Sequence, residues 1–150
     1  MTAKHILLVE DNQDDVELTL RAFRRSEIVN SIHVVRDGRE ALDWLHGDAA
    51  ELPGGLPTVI LLDLHLPKID GLEVLRRIRA DSRTSLLPVV ILTSSDEPSD
   101  LLDGYRLGAN SFVRKPVAFG DLIETARQIG LYWLGLNEVP SPLTFRRVSA

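Results

Sequence analysis

At 150 residues the chain has the length of one domain, and 44% hydrophobic with 26% charged residues is the composition of an ordinary globular protein. A net charge of −5 argues against bulk attraction to nucleic acid or acidic lipid, and the lack of cysteine excludes disulfides and thiolate metal sites. No apolar run approaches the roughly 18 residues that cross a bilayer, and the stretch after His5 is too short for a signal peptide, so a cytoplasmic location with neither nucleic-acid nor membrane partner is expected.

Ile6 to Val9 reads as a first strand and Asn12 to about Ser26 as a helix, with Asn12 as N-cap and Asp14 and Asp15 suiting its positive end. Ile32 to Val35 is a second strand, followed by a short helix over Glu40 to Leu45 and a Gly/Pro-rich loop, "HGDAAELPGGLP". Thr58 to Leu62 is a third strand. Asp70 then caps a helix reaching about Ala80, with Glu73 in capping-box spacing. "VVILT" after Pro88 is a fourth strand, Ser99 to Leu107 a weak helix, Ser111 to Arg114 a fifth strand and Gly120 to about Leu136 a long last helix. Strands that are apolar throughout and alternate with helices predict a doubly wound α/β domain, its parallel sheet covered on both faces.

Ligands of open α/β sheets sit beyond the carboxyl ends of the strands. Strand one ends in Glu10 and Asp11, strand three in Asp63, strand four in Thr93 and Ser94, and strand five in Lys115. Arg36 and Asp37, ending strand two, read as a solvated turn. Taken singly, Asp63 suits a turn and Glu10, Asp11, Asp14 and Asp15 suit a solvated helix start. Together, three carboxylates at neighbouring strand ends repel one another, and a hard divalent cation with retained waters relieves that repulsion. The loop after strand one, "EDNQDD", has no glycine and repels a bare phosphate, which argues against flavin or dinucleotide binding.

The blocks "LLVEDN", "LLDLHLPKIDG", "VVILTS" and "SFVRKP", in that order at the strand ends, resemble the receiver domains of two-component response regulators. The resemblance covers about residues 4–136 and implies the strand order 2-1-3-4-5 with five helices. The long loop before strand three and the ending "LYWLGLNEVP" look like the small single-domain regulators that partner phytochrome-type sensor histidine kinases.

By position, the resemblance makes Asp63 the phosphoacceptor, taking a phosphoryl group from a kinase phosphohistidine. It implies magnesium held by Asp11, Asp63 and the backbone carbonyl of His65, with Glu10 acting through water. Thr93 and Lys115 would contact the phosphoryl oxygens. Phe112 falls at the aromatic switch position beside Thr93 and lacks a hydroxyl. A cis Lys115–Pro116 bond is implied as well. His5, His33 and His46 share no spacing and read as structural or surface residues, and the ring of His65 has no assigned role.

Residues 1–136 are thus expected to form the receiver and 137–150 a tail without an output domain. The leading function is a stand-alone phosphorylation switch that is not an enzyme and signals by binding another protein. A magnesium-dependent aspartyl phosphotransferase competes with it, but His65 stands where such an enzyme would carry its second Asp. A phosphorylation-independent adaptor is the third reading. Along the last helix, Ile123, Ala126, Gly130, Trp133 and Leu134 form a core-facing stripe and leave Leu131, Tyr132 and Leu136 over, which predicts a homodimer through this helix and the strand-five face.

Overall fold

The computed structural model describes residues 4–47 and 55–140. Five strands, β1 (Ile6–Val9), β2 (Ile32–Val35), β3 (Val59–Leu62), β4 (Val89–Thr93) and β5 (Ser111–Arg114), form one parallel sheet in the order β2-β1-β3-β4-β5. The register sets Val9 beside Val35 and Leu62, and Thr93 beside Arg114, so the carboxyl ends finish along one edge. Five helices alternate with the strands: α1 (Gln13–Arg25), α2 (Gly38–His46), α3 (Gly71–Ala80), α4 (Pro98–Arg106) and α5 (Phe119–Leu131).

The two-residue period of each strand divides the core. Leu7, Val9, Ile60, Leu62, Val89 and Ile91 face α2 and α3, where Leu42, Leu45, Val74, Leu75 and Ile78 close over them. Ile6, Leu8, Leu61, Val90 and Leu92 face α1 and α5, meeting Phe23, Leu122, Ala126 and Ile129. Each such fully buried aliphatic side chain stabilises the fold by roughly 1.5–3 kcal/mol. Burial on both faces explains the unbroken apolar runs.

Helix starts follow their caps. Asn12 accepts the Asp15 N–H, Asp70 the Glu73 N–H, and Asp37 the Glu40 N–H. Asp37 therefore starts α2 two residues before the expected position, and the end of β2 is not merely a solvated turn. The capping box at α3 is only half formed, because the Glu73 carboxylate turns to Arg76 and Arg77. At the amino ends of β4 and β5, the Arg79 guanidinium donates to the carbonyls of Gly108, Ser85 and Leu87 and to Asn110 Oδ1. Asn110 Oδ1 also accepts the Val89 N–H at 2.8 Å.

The last helix departs from expectation in two ways. It stays α-helical to Leu131 and finishes in one π-helical turn, Tyr132–Leu136, closed by the Asn137 N–H on the Tyr132 carbonyl. Its buried stripe is Leu122, Ala126, Ile129, Gly130 and Leu134, with Ile123 and Trp133 only partly covered. Leu131, Tyr132 and Leu136 are exposed, as expected. Among the described residues no peptide bond is cis, so Lys115–Pro116 is trans. The trans form is the lower-energy one for an X–Pro bond by about 0.5–1 kcal/mol, and with it the Lys115 N–H still reaches the Thr93 carbonyl at 2.8 Å. Residues 48–54 of the Gly/Pro loop and 141–150 of the expected tail lie outside the described residues.

Candidate functional site

The carboxyl edge gathers the side chains that strand order predicts. Glu10 follows β1 and is 1% exposed, and Asp63 follows β3 and is 8% exposed. Asp11, the next residue after Glu10, is exposed. One carboxylate oxygen from each of these three lies within 4.8 Å of the others. Asp63 Oδ1 accepts the Leu64 N–H at 2.8 Å, which fixes the carboxylate against its own turn.

Lys115, at the end of β5, leans back into this cluster. Its ammonium is hydrogen-bonded to Glu10 and lies 3.3 Å from Asp15 Oδ2 and 3.7 Å from Asp63 Oδ2. Asp15 is the member that strand-end reasoning missed. It reaches the site from the first turn of α1, and its only signal was its place in the acidic start of that helix, directly after strand one.

Burial sets the electrostatics. It pushes the Glu10 carboxyl up to about 7, Asp63 adds to the rise, and Lys115 opposes it. Burial also disfavours the Lys115 ammonium, yet its hydrogen bond to Glu10 and the charges of Asp63, Glu10 and Asp15 outweigh that and raise its pKa. The ammonium therefore keeps its proton, and Glu10 is the group that gives up charge on acidification.

Thr93 is fully buried at the end of β4, and its hydroxyl accepts the Ser95 N–H at 3.3 Å. Phe112 is half-buried on β5, packed on the α2/α3 side of the core. It lines a cleft of about 360 Å³ with Ser95, Asp96, Glu97, Pro98, Leu101 and Arg114. His65 is exposed in the turn after Asp63. The other histidines lie elsewhere: His5 is buried, His33 stacks on Trp44 at 4.8 Å, and His46 sits 3.6 Å from Asp81.

The three clustered carboxylates fit a hard dication. All donors are oxygen, and exposed Asp11 leaves one side open to the waters that magnesium or manganese retains. The cluster holds more negative charge than Lys115 cancels. Its chemistry is therefore neutralisation of an incoming anion by a cation and an ammonium, next to two buried carboxylates, Glu10 and Asp63.

Residues 6–127 match the family described as the response regulator receiver domain. The chain belongs to the response regulator receiver family. Members take a phosphoryl group on aspartate from a histidine kinase and bind a divalent metal at an acidic pocket. The receiver is 45% identical over 139 residues to the probable methanogenesis regulatory protein FilR2 of Methanothrix harundinacea, covering 91% of this chain and 88% of FilR2. It superposes on the phosphorylated cyanobacterial phytochrome response regulator RcpA with a TM-score of 0.84 at 37% identity, covering 93% of this chain and 99% of that one. The Mn(2+)-bound form of response regulator Rcp1, known from Synechocystis, gives 0.81 at 35% identity, covering 92% and 99%. Among the described residues of the receiver, no helix is long and apolar enough to cross a membrane.

Proposed function

We propose that the protein is a stand-alone phosphorylation switch in which Asp63 accepts the phosphoryl group. The observation that carries this reading is the convergence of buried Asp63, buried Thr93 and the Lys115 ammonium on one edge beside Glu10 and Asp11. A carboxylate oxygen of Asp63 attacks the phosphorus of a kinase phosphohistidine. The P–O bond forms as the P–N bond breaks, and the imidazole leaves. Lys115 moves from Glu10 to a phosphoryl oxygen, and Thr93 donates its hydroxyl to another. Asp11, Asp63 and the His65 carbonyl would hold magnesium, with Glu10 acting through water, and the ion would supply further neutralisation of charge. The protein is a phosphoacceptor and not an enzyme: His65, exposed in the turn, stands where an aspartyl phosphotransferase would carry its acid.

The kinase is a phytochrome-type sensor. Support comes from RcpA, whose name ties it to a phytochrome and of which the chain spans 99%. The test is labelling by a small phosphodonor and by phytochrome-type kinases, with and without magnesium. Label should appear on the parent only with the metal and be lost in Asp63→Asn. Stoichiometric label on Asp63→Asn would refute the assignment.

The switch works as a homodimer through α5 and the β5 face. Leu131, Tyr132 and Leu136 are 53%, 48% and 78% exposed on one helix end, an apolar set that the core does not use. Light scattering at micromolar concentration should give twice the chain mass for the parent and a monomer for Tyr132→Ala with Leu136→Ala. A monomeric parent would overturn the dimer and leave the phosphoacceptor untouched.

A further inference from the structure

The end of β2 contributes nothing to the acidic cluster, yet it is tied to the loop that follows Asp63. Within that loop Lys68 has φ +68°, in the left-handed region that favours glycine. The Ile69 N–H donates to the Pro67 carbonyl at 2.8 Å, so Lys68 is the centre of a three-residue γ-turn. A lysine keeps such a conformation only where its surroundings impose it.

Asp37 and Gly38 are those surroundings. One Asp37 oxygen accepts the Glu40 N–H at 2.7 Å and caps α2, while the other lies 3.3 Å from Lys68 Nζ. Gly38 presses on the loop itself: a Cβ there would stand 1.9 Å from the Ile69 carbonyl oxygen. The Gly38 N–H also points at the Pro67 carbonyl, at 3.5 Å. The Lys68 side chain is 66% exposed, and an exposed ion pair adds little to global stability. Its effect falls on the shape of the loop.

We propose that Asp37 is a positioning residue for the acceptor loop: with Lys68 it holds the γ-turn that sets the path of residues 64–69, and so tunes magnesium affinity at the carboxyl edge. The inference rests on the metal reading given above. Asp37→Asn and Lys68→Gln separate its parts, since asparagine keeps the capping oxygen and loses only the charge. Simple through-space electrostatics gives the two variants opposite effects, because removing an anion weakens cation binding and removing a cation strengthens it. Positioning gives them the same effect.

The experiment is calorimetric magnesium titration of the full chain, with thermal unfolding and amide exchange over residues 64–69 measured without metal. Both variants should bind magnesium roughly threefold to tenfold more weakly, less than the loss typical of a partner bonded directly to a metal ligand. Both should exchange the Ile69 amide faster and melt within about 2 °C of the parent. The double variant should be no worse than either single one, and Lys68→Arg should bind as the parent does. Opposite shifts in the two single variants, unchanged affinity in both, or additive losses would overturn the proposal. A parent that binds magnesium no better than Asp63→Asn would instead sink the metal reading on which it rests.

Discussion

Gly71→Ala tests how tightly the acceptor carboxylate is held from behind. Gly71 is the first residue of α3, and a Cβ built on it would lie 2.3 Å from the Asp63 carbonyl oxygen and 2.6 Å from the Leu64 Cα. Both are backbone atoms, so no side-chain rotation relieves the contact. Reaching an ordinary 3.4 Å separation requires the start of α3 and the Asp63–Leu64 peptide to part by about 1 Å. That movement strains the 2.9 Å bond from the Gly71 N–H to the Leu64 carbonyl. Overpacking against backbone of this kind costs about 2–3 kcal/mol, and at this chain length melting should fall by roughly 5–10 °C. The same displacement moves the Asp63 carboxylate relative to Lys115, and an error of about 1 Å in a reacting group can lower a rate by on the order of a hundredfold. Differential scanning calorimetry and the initial rate of labelling by a small phosphodonor measure the two effects. Gly120→Ala is the control, since nothing lies within 4 Å of a Cβ there; in α5 it should gain about 0.5–1 kcal/mol. If Gly71→Ala melted with the parent and labelled at the parental rate, the close approach would carry neither consequence.

Two further variants address other parts of the molecule. Because the folded pKa of Glu10, about 7, exceeds its ordinary 4.5, its protonation favours the native state: that contribution is complete below pH 4.5 and disappears as pH rises through 7. Relative to Glu10→Gln, the metal-free parent should lose on the order of 1–3 kcal/mol over that window, measured by urea unfolding in chelator; a stability difference that is flat with pH contradicts the burial argument. Glu27 holds φ +65° just past α1, where the Ile28 N–H closes on the Phe23 carbonyl, so Glu27→Gly should raise stability by about 1 kcal/mol, and a lowered melting temperature would contradict the strain.

The three central strands, β1, β3 and β4, were legible because each is buried on both faces, and the parallel topology then carried Glu10, Asp63, Thr93 and Lys115 to one edge without further information. What stayed hidden depends on contacts between segments. "ED" does not tell which acid is buried, yet Glu10 is enclosed and Asp11 exposed. Crowding among carboxylates was the expected cause of raised proton affinity; burial of Glu10 is the larger one. "LIETARQIGLYWLGL" is apolar in two helical phases, so pattern alone could not choose Leu122 and Ile129 over Ile123 and Trp133 for the core. The second role of Asp37 and the tight seats of Gly38 and Gly71 come from close approach of backbone segments that are not neighbours in sequence, and a linear pattern records nothing of that.

The guanidinium of Arg79 gives the two ends of the sheet different mechanical characters. At the amino end, one permanently charged, planar group with four acceptors welds the entrances of β4 and β5 to the C-terminal turn of α3. At the carboxyl end the comparable cation is Lys115, a flexible point charge shared among three carboxylates. The sheet is therefore built like a clothes peg, with its spring riveted at one end and the side chains of its jaws held together by exchangeable charge. On the proposed phosphorylation of Asp63, the changed charge would bear on Lys115 at the carboxyl end and leave the strand entrances held by Arg79.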